Sequence, residues 1–149
     1  MKNKFYLLLL TTIVFTASCS NDDCGECFTP PNSLYLELLD KETDENLFSN
    51  GTYDADQIEI LRSIDNSSVG FTFIGENDKN IIAINEIGWK TEKVNLLVNV
   101  SDLTLISLFV DVERLSEDCC SYSNFNEIRV SNAESTLDPE TGIYQIFIE

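Results

Sequence analysis

The sequence predicts an all-β fold: a single antiparallel β-sandwich of about seven or eight strands. Three observations predict it. Apolar residues recur at every second position in short runs across residues 34–149. Those runs are rich in β-branched and aromatic residues, which suit a pleated, half-buried surface. Clusters of Asp, Asn, Ser, Gly and Pro separate them, and no segment beyond residue 20 carries a convincing helical period.

The elements follow in order. Leu34-Tyr35-Leu36-Glu37-Leu38 puts three leucines on one face, and the charged stretch Lys41–Asn46 is a turn. Ile58 and Ile60 share a face in Gln57–Ile64, Phe71 and Phe73 in Gly70–Ile74, and Ile82 and Ile84 in Asn80–Asn85. Asp65-Asn66-Ser67-Ser68 and Glu76-Asn77-Asp78-Lys79 are the intervening turns. The clearest alternation sets Val94, Leu96, Val98 and Val100 against Asn95 and Asn99. Thr104–Leu115 repeats it, with Ile106, Leu108, Val110 and Val112 opposite Ser107, Asp111 and Glu113. Ile128 and Val130 mark one more strand, and Tyr144, Ile146 and Ile148 the last. Between those two, Asp138-Pro139-Glu140-Thr141-Gly142 suits a hairpin with Gly142 in the left-handed region. Strands in this number and spacing argue for one sandwich with one shared core. Trp89 and the other aromatics are expected to fill it.

The first residues point to an export address. Lys2 and Lys4 precede an apolar run, Phe5–Phe15, and Thr16-Ala17-Ser18 is small at every position. The run is far shorter than the ~20 residues that span a bilayer. A Cys directly after the small residues predicts lipoprotein processing, with cleavage before Cys19 and lipidation of its thiol. The expected organisation is a signal peptide over 1–18, a lipid-anchored linker over 19–33 with Gly25, Pro30 and Pro31, and the β-sandwich domain over 34–149. Each buried methylene contributes about 0.8 kcal/mol, and two or three acyl chains make such an anchor effectively permanent.

Charge narrows the partners. The leader holds two lysines and no acid, so residues 19–149 carry 7 basic against 26 acidic residues, a net −19. Such a body repels phosphate backbones, which excludes nucleic acid, and it is pushed from anionic headgroups. The chain has no His, which removes His-based triads, His general bases and most transition-metal sites. No cofactor is expected.

Cys19-Ser20-Asn21-Asp22-Asp23 resembles the export signal of Bacteroidota lipoproteins, an acidic run just after the lipidated Cys. Cys27-Phe28-Thr29-Pro30-Pro31, Leu38-Leu39-Asp40-Lys41-Glu42-Thr43 and Asn50-Gly51-Thr52-Tyr53 are similar to uncharacterised lipoproteins of that phylum, and the pair Cys119-Cys120 fits them. The resemblance implies an outer-membrane, surface-facing location and no particular activity. The charged turn leading into Asn50-Gly51-Thr52 is also similar to the strand-turn-strand of transthyretin-like and carboxypeptidase-regulatory sandwiches. The expected sandwich is therefore immunoglobulin-like or transthyretin-like.

Four cysteines remain beside Cys19: Cys24, Cys27, Cys119 and Cys120. An even number in an exported chain suggests two disulfides, with three possible pairings. Redox CxxC motifs sit at helix N-termini, whereas Cys24 and Cys27 lie in a Pro-flanked linker. A bridge between neighbours such as Cys119 and Cys120 needs distorted backbone. The expected pairing joins each N-terminal Cys to one of the adjacent pair. It would close a loop worth on the order of 4–5 kcal/mol in the chain-entropy model. A zinc site built from the four thiolates is the competing arrangement.

Other chemistry is poorly supported. Asp40, Glu42, Asp44 and Asn46 alternate like the start of a calcium loop, but Glu45 stands where Gly is required and Gly51 where the bidentate Glu belongs. A solvated turn is the better reading, and no metal site is expected. Paired acids such as Asp22-Asp23 and Glu117-Asp118 occur by chance among 26 carboxylates. No nucleophile elbow, phosphate loop or metalloprotease motif is present. The expectation is a non-catalytic binding or structural module for a protein or glycan ligand, and the alternative is a hydrolase with an acidic site. Exposed aromatics at one sandwich end, such as Tyr53, Tyr122 or Phe125, would favour the first. A deep pocket with convergent carboxylates would favour the second.

Overall fold

The computed structural model describes residues 29–76, 79–117 and 120–149. Among them the chain forms strands β1 (Leu34–Asp40), β2 (Ile58–Arg62), β3 (Phe71–Glu76), β4 (Lys79–Ile84), β5 (Glu92–Val100), β6 (Leu103–Glu117), β7 (Cys120–Ser131), β8 (Glu134–Leu137) and β9 (Ile143–Ile148). One sheet has the order β3-β4-β1-β9-β8 and the other β2-β5-β6-β7. All pairings are antiparallel except β1–β9, where the first and last strands run side by side in parallel. The only helical element among the described residues is a 3₁₀ turn at Ala55–Gln57. The all-β sandwich and each predicted strand are present.

The two sheets close over one aliphatic layer. Leu34, Leu36 and Leu38 of β1, Ile82 and Ile84 of β4 and Ile146 of β9 come from the first sheet. Ile58 and Ile60 of β2 face them with Val94, Leu96, Val98 and Val100 of β5 and Ile106, Leu108, Val110 and Val112 of β6. These are the residues that the alternation singles out, because a period-two strand delivers every second side chain to one face. Leu47, Val69 and Ile87 plug the layer from connecting loops.

The expectation that Trp89 and the aromatics fill the core is corrected. Trp89 is 47 % exposed, and no Phe, Tyr or Trp is among the fully buried side chains of the described residues. The β-branched residues and leucines already fill the gap of about 10 Å between two sheets. Phe48, Tyr53, Phe71, Phe73, Phe125 and Tyr144 therefore pack around its margin, only partly buried. Trp89 lies in the β4–β5 connection at one end of the sandwich, outside the layer.

Two bulges explain where the predicted boundaries fall short. Asp111 pairs with Glu127 but Val112 with Phe125, so Asn126 is an extra residue in β7. The bulge changes the phase, and both Phe125 and Ile128 pack on the core although they are three residues apart. A pure period-two pattern therefore shows only Ile128 and Val130 and misses the first half of β7. A second irregularity leaves Leu105 of β6 unpaired between Thr104 and Ile106. β8 has no alternation to detect, because all four of its residues are exposed on a sheet edge.

Turn chemistry matches expectation. Gly142 has φ +72 and its N–H donates to the Asp138 carbonyl at 2.8 Å, closing the β8–β9 turn. Gly88 (φ +88) is needed for a different reason. A Cβ there would lie 3.2 Å from Pro31 Cβ, 3.2 Å from Val112 Cγ2 and 3.3 Å from Ser123 Cβ. Gly51 (φ +80) has nothing within 4 Å of such an atom.

Two substitutions test this layout. Leu36→Ala removes a side chain with no exposed surface and should cost about 2–5 kcal/mol in urea unfolding. Gly88→Ala should destabilise more than Gly51→Ala, because both carry the left-handed penalty of about 1 kcal/mol but only the first also meets packed atoms.

Candidate functional site

Strand direction assigns the loops to two ends. Thr29–Asn32, the β4–β5 connection and the tips of β6 and β7 share one end. The loop 41–57, the β5–β6 turn at Ser101-Asp102, the β7–β8 connection and Glu149 share the other.

At the first end the incoming chain is docked. Asn32 N–H donates to Ser123 Oγ at 3.0 Å, and Asn32 Nδ2 reaches the Ser123 carbonyl at 3.4 Å. These bonds satisfy Ser123, which is 4 % exposed on β7. Pro31 is buried over Gly88. Arg114 Nη2 donates to the Thr29 carbonyl at 2.5 Å, and the Arg114 guanidinium lies 6.0 Å from the centroid of the Trp89 ring. Arg114 N–H is held by Thr91 Oγ1 at 2.9 Å. The Arg114 Nη1 atom is buried with no acceptor among the described residues. The last residues of the expected linker are thus already packed on the domain.

The opposite end carries adjoining concavities. One, of about 450 Å³, is lined by Tyr53, Leu103, Leu105, Ala133 and Phe147, with Lys41 and Glu134 at its polar side. Another, of about 490 Å³, is lined by Phe48, Tyr53, Phe73, Asp54 and Asn80. Tyr53 borders both. Its backbone N–H donates to the Leu47 carbonyl at 3.0 Å, which fixes the loop that carries it. Phe48 meets Phe73 edge-on at 5.1 Å and Tyr53 at 6.3 Å, so the three rings form one aromatic ridge. Leu103, 58 % exposed, extends the apolar surface.

Lys41 there is paired with two carboxylates, and Asp54 accepts from the Asp56 N–H of its own turn at 3.0 Å. Lys41 Nζ lies 2.6 Å from Glu149 Oε1 and 3.2 Å from Glu134 Oε1. Hydrogen bonds to Glu149 and then Glu134 raise the Lys41 pKa, and the same lysine lowers that of Glu149. The site therefore presents aromatic and aliphatic faces with neutral amides and hydroxyls, and its carboxylates do not converge on an open point.

The calcium-like alternation resolves into turn caps. Asp40 Oδ1 accepts from Glu42 N, Thr43 N and Thr43 Oγ1 at 2.9–3.0 Å. Asn46 Oδ1 accepts from Phe48 N at 3.0 Å, and its Nδ2 donates to the Asn80 carbonyl at 3.0 Å. Among the described residues no group of three or more His, Cys, Asp or Glu could hold a metal. No helix of the described residues is long and apolar enough to cross a membrane.

Of the three aromatics considered for binding, Tyr53 lies on the ridge, Tyr122 is 41 % exposed at the docked end, and Phe125 packs against the core. Phe48 joins Tyr53 from the same loop, whereas Phe73, Leu103 and Phe147 come from three separate strands and no local pattern marks them as neighbours. Cys120 opens β7. Cys19, Cys24, Cys27 and Cys119 lie outside the described residues. The acids Asp22, Asp23 and Asp118 lie outside them too, while Glu117 is exposed at the end of β6.

No family model matches this chain, no curated protein matches it, and no solved structure matches it.

A pH prediction follows from the caps. Hydrogen bonds from the Thr43 backbone, the Thr43 side chain and the Glu42 backbone hold the Asp40 carboxyl below its ordinary 3.8. Asp138 is lowered likewise by Thr141 and Glu140, and Asp65 by Ser67. A depressed carboxylate contributes stability above its unfolded pKa and loses it as pH falls through the folded value. NMR titration of these three side chains should give midpoints below 3.8, and stability should fall across that acid window. Asp40→Asn should remove its share of the dependence.

Proposed function

We propose that this chain is a lipid-anchored, non-catalytic binding module of the outer membrane, facing the cell surface. Residues 1–18 act as its signal peptide, and Cys19 is acylated after cleavage. The ligand, a protein or a glycan, is taken at the Tyr53 ridge. The observation that carries this reading is the separation of the two ends. Ten residues of β6 lie between Leu103 at the ridge and Arg114 at the docked entry, about 35 Å of extended strand. A tether entering at Thr29 would hold the concavities away from the bilayer.

The chemistry of the ridge favours an uncharged ligand. The net charge of residues 19–149 is −19, which disfavours polyanions. Lys41, Arg62, Lys93 and Arg129 already contact carboxylates of the chain. Stacking rings flanked by amides suit a sugar face or a small apolar side chain.

The cysteines complete the anchoring. Cys24 and Cys27 each pair with one of Cys119 and Cys120. Ser123, which holds Asn32, is three residues from Cys120, about 10 Å along a strand. Cys27 is two residues from Thr29, a reach of about 7 Å. Both sides of the proposed bridges therefore start from the same docked end. The bridges would turn the packed entry into a covalent clamp, so that pull on the lipid meets a fixed point.

Two experiments test the proposal. Peptide mapping without reduction should recover peptides joining residues 24–27 to 119–120. Separate Cys24–Cys27 and Cys119–Cys120 bridges, or four free thiols in metal-free protein, would overturn the clamp. The domain lacking residues 1–19 should be retained by a neutral glycan or an envelope protein. Tyr53→Ala should weaken that binding roughly tenfold while the fold, followed by circular dichroism, is kept. Unchanged affinity in the folded variant would remove the ridge from the binding site.

A further inference from the structure

We propose that the docked end is a membrane seat, in which Trp89 enters the headgroup layer of the zwitterionic bilayer that carries the anchor. The inference rests on the lipid-anchor reading above and adds a second, reversible contact to it.

Trp89 is the single tryptophan of the chain and is 47 % exposed. It is held where the chain from the anchor arrives: its ring lies 6.0 Å from the Arg114 guanidinium, and the same guanidinium donates to the Thr29 carbonyl. Nine residues separate Cys19 from Thr29, a span of at most about 35 Å even when fully extended. The indole is thus confined near the bilayer surface, and every shortening of the linker brings it closer. Tyr122, 41 % exposed, lies at the same end, on the strand residue next to Ser123.

Indole and phenol rings favour the water–hydrocarbon boundary, because one part of each is apolar and another must remain hydrated. Lys90, exposed beside Trp89, and Arg114 are the cations next to the indole, while Glu86, Glu113 and Glu117 lie at the same end. The charge of the whole chain opposes an anionic surface, so the lipid that fits is zwitterionic. The opposite end, with the Tyr53 ridge, would then point outward.

The test uses the full lipidated chain in phosphatidylcholine vesicles, with Trp89 as the intrinsic probe. Bromine placed on acyl carbons near the headgroups should roughly halve its emission, bromine deep in the chains should do less, and acrylamide quenching should fall relative to the soluble domain. A Trp89→Phe, Leu103→Trp double variant moves the probe to the far end, and its emission should not respond. Vesicles rich in anionic lipid should weaken the Trp89 response. Protein that floats with vesicles but shows soluble-domain quenching would overturn the seat and leave the anchor intact. Protein that does not float would overturn the anchor reading itself. Equal quenching at both ends would overturn the seat in favour of a molecule lying flat. Shielding of Trp89 without vesicles, with a doubled mass at high concentration, would assign that surface to a second copy.

Discussion

The aliphatic layer between the two sheets is the constraint on which the rest of the molecule depends. Leu36, Leu38, Ile60, Ile82, Ile84, Leu96, Ile106, Leu108 and Ile146 are fully removed from solvent there. Burial of apolar surface at roughly 25 cal/mol per Å² is the main force available to a chain of this size. The chain does not add aromatic bulk to that layer. Leucine and β-branched side chains interdigitate at the spacing two sheets demand, and larger rings are displaced to the margins. Both notable surfaces follow from that displacement. Phe48, Tyr53 and Phe73 gather at one end, and Trp89 stands out at the other.

The end that receives the chain is built by close packing and completed by hydrogen bonds. Gly88 leaves room for Pro31 beside Val112 and Ser123. Asn32 then satisfies the buried Ser123, and Arg114 holds the Thr29 carbonyl. These contacts join residues 85–91 positions apart in sequence. They make residues 29–32 part of the fold, so a force applied to the N-terminal side is delivered to β6 and β7.

Legibility of the fold varied for identifiable physical reasons. β5 and β6 were plain because both strands are central and their inward and outward faces differ in polarity. The first half of β7 was hidden because the bulge at Asn126 shifts the phase between Phe125 and Ile128. β8 was hidden because an edge strand with four exposed residues needs no apolar alternation. Asp40, Glu42, Asp44 and Asn46 looked like spaced ligands, yet Asp40 and Asn46 cap the backbone of their own loop. The candidate site was the least legible part. Tyr53 could be named, but its neighbours Phe73, Leu103 and Phe147 come from β3, β6 and β9.

By itself, the sequence determined the class of fold, the residues of the buried layer and the turns at Asp65–Ser68 and Asp138–Gly142. Those properties are local: a two-residue period and a left-handed glycine act within a few positions. Only the tertiary structure decided that β1 and β9 pair in parallel. It also decided that Trp89 is outside the core, and that the chain entry and the Tyr53 ridge occupy opposite ends. Those properties depend on which strands become neighbours and how much volume the shared layer leaves, and both are set by contacts between segments far apart in the chain.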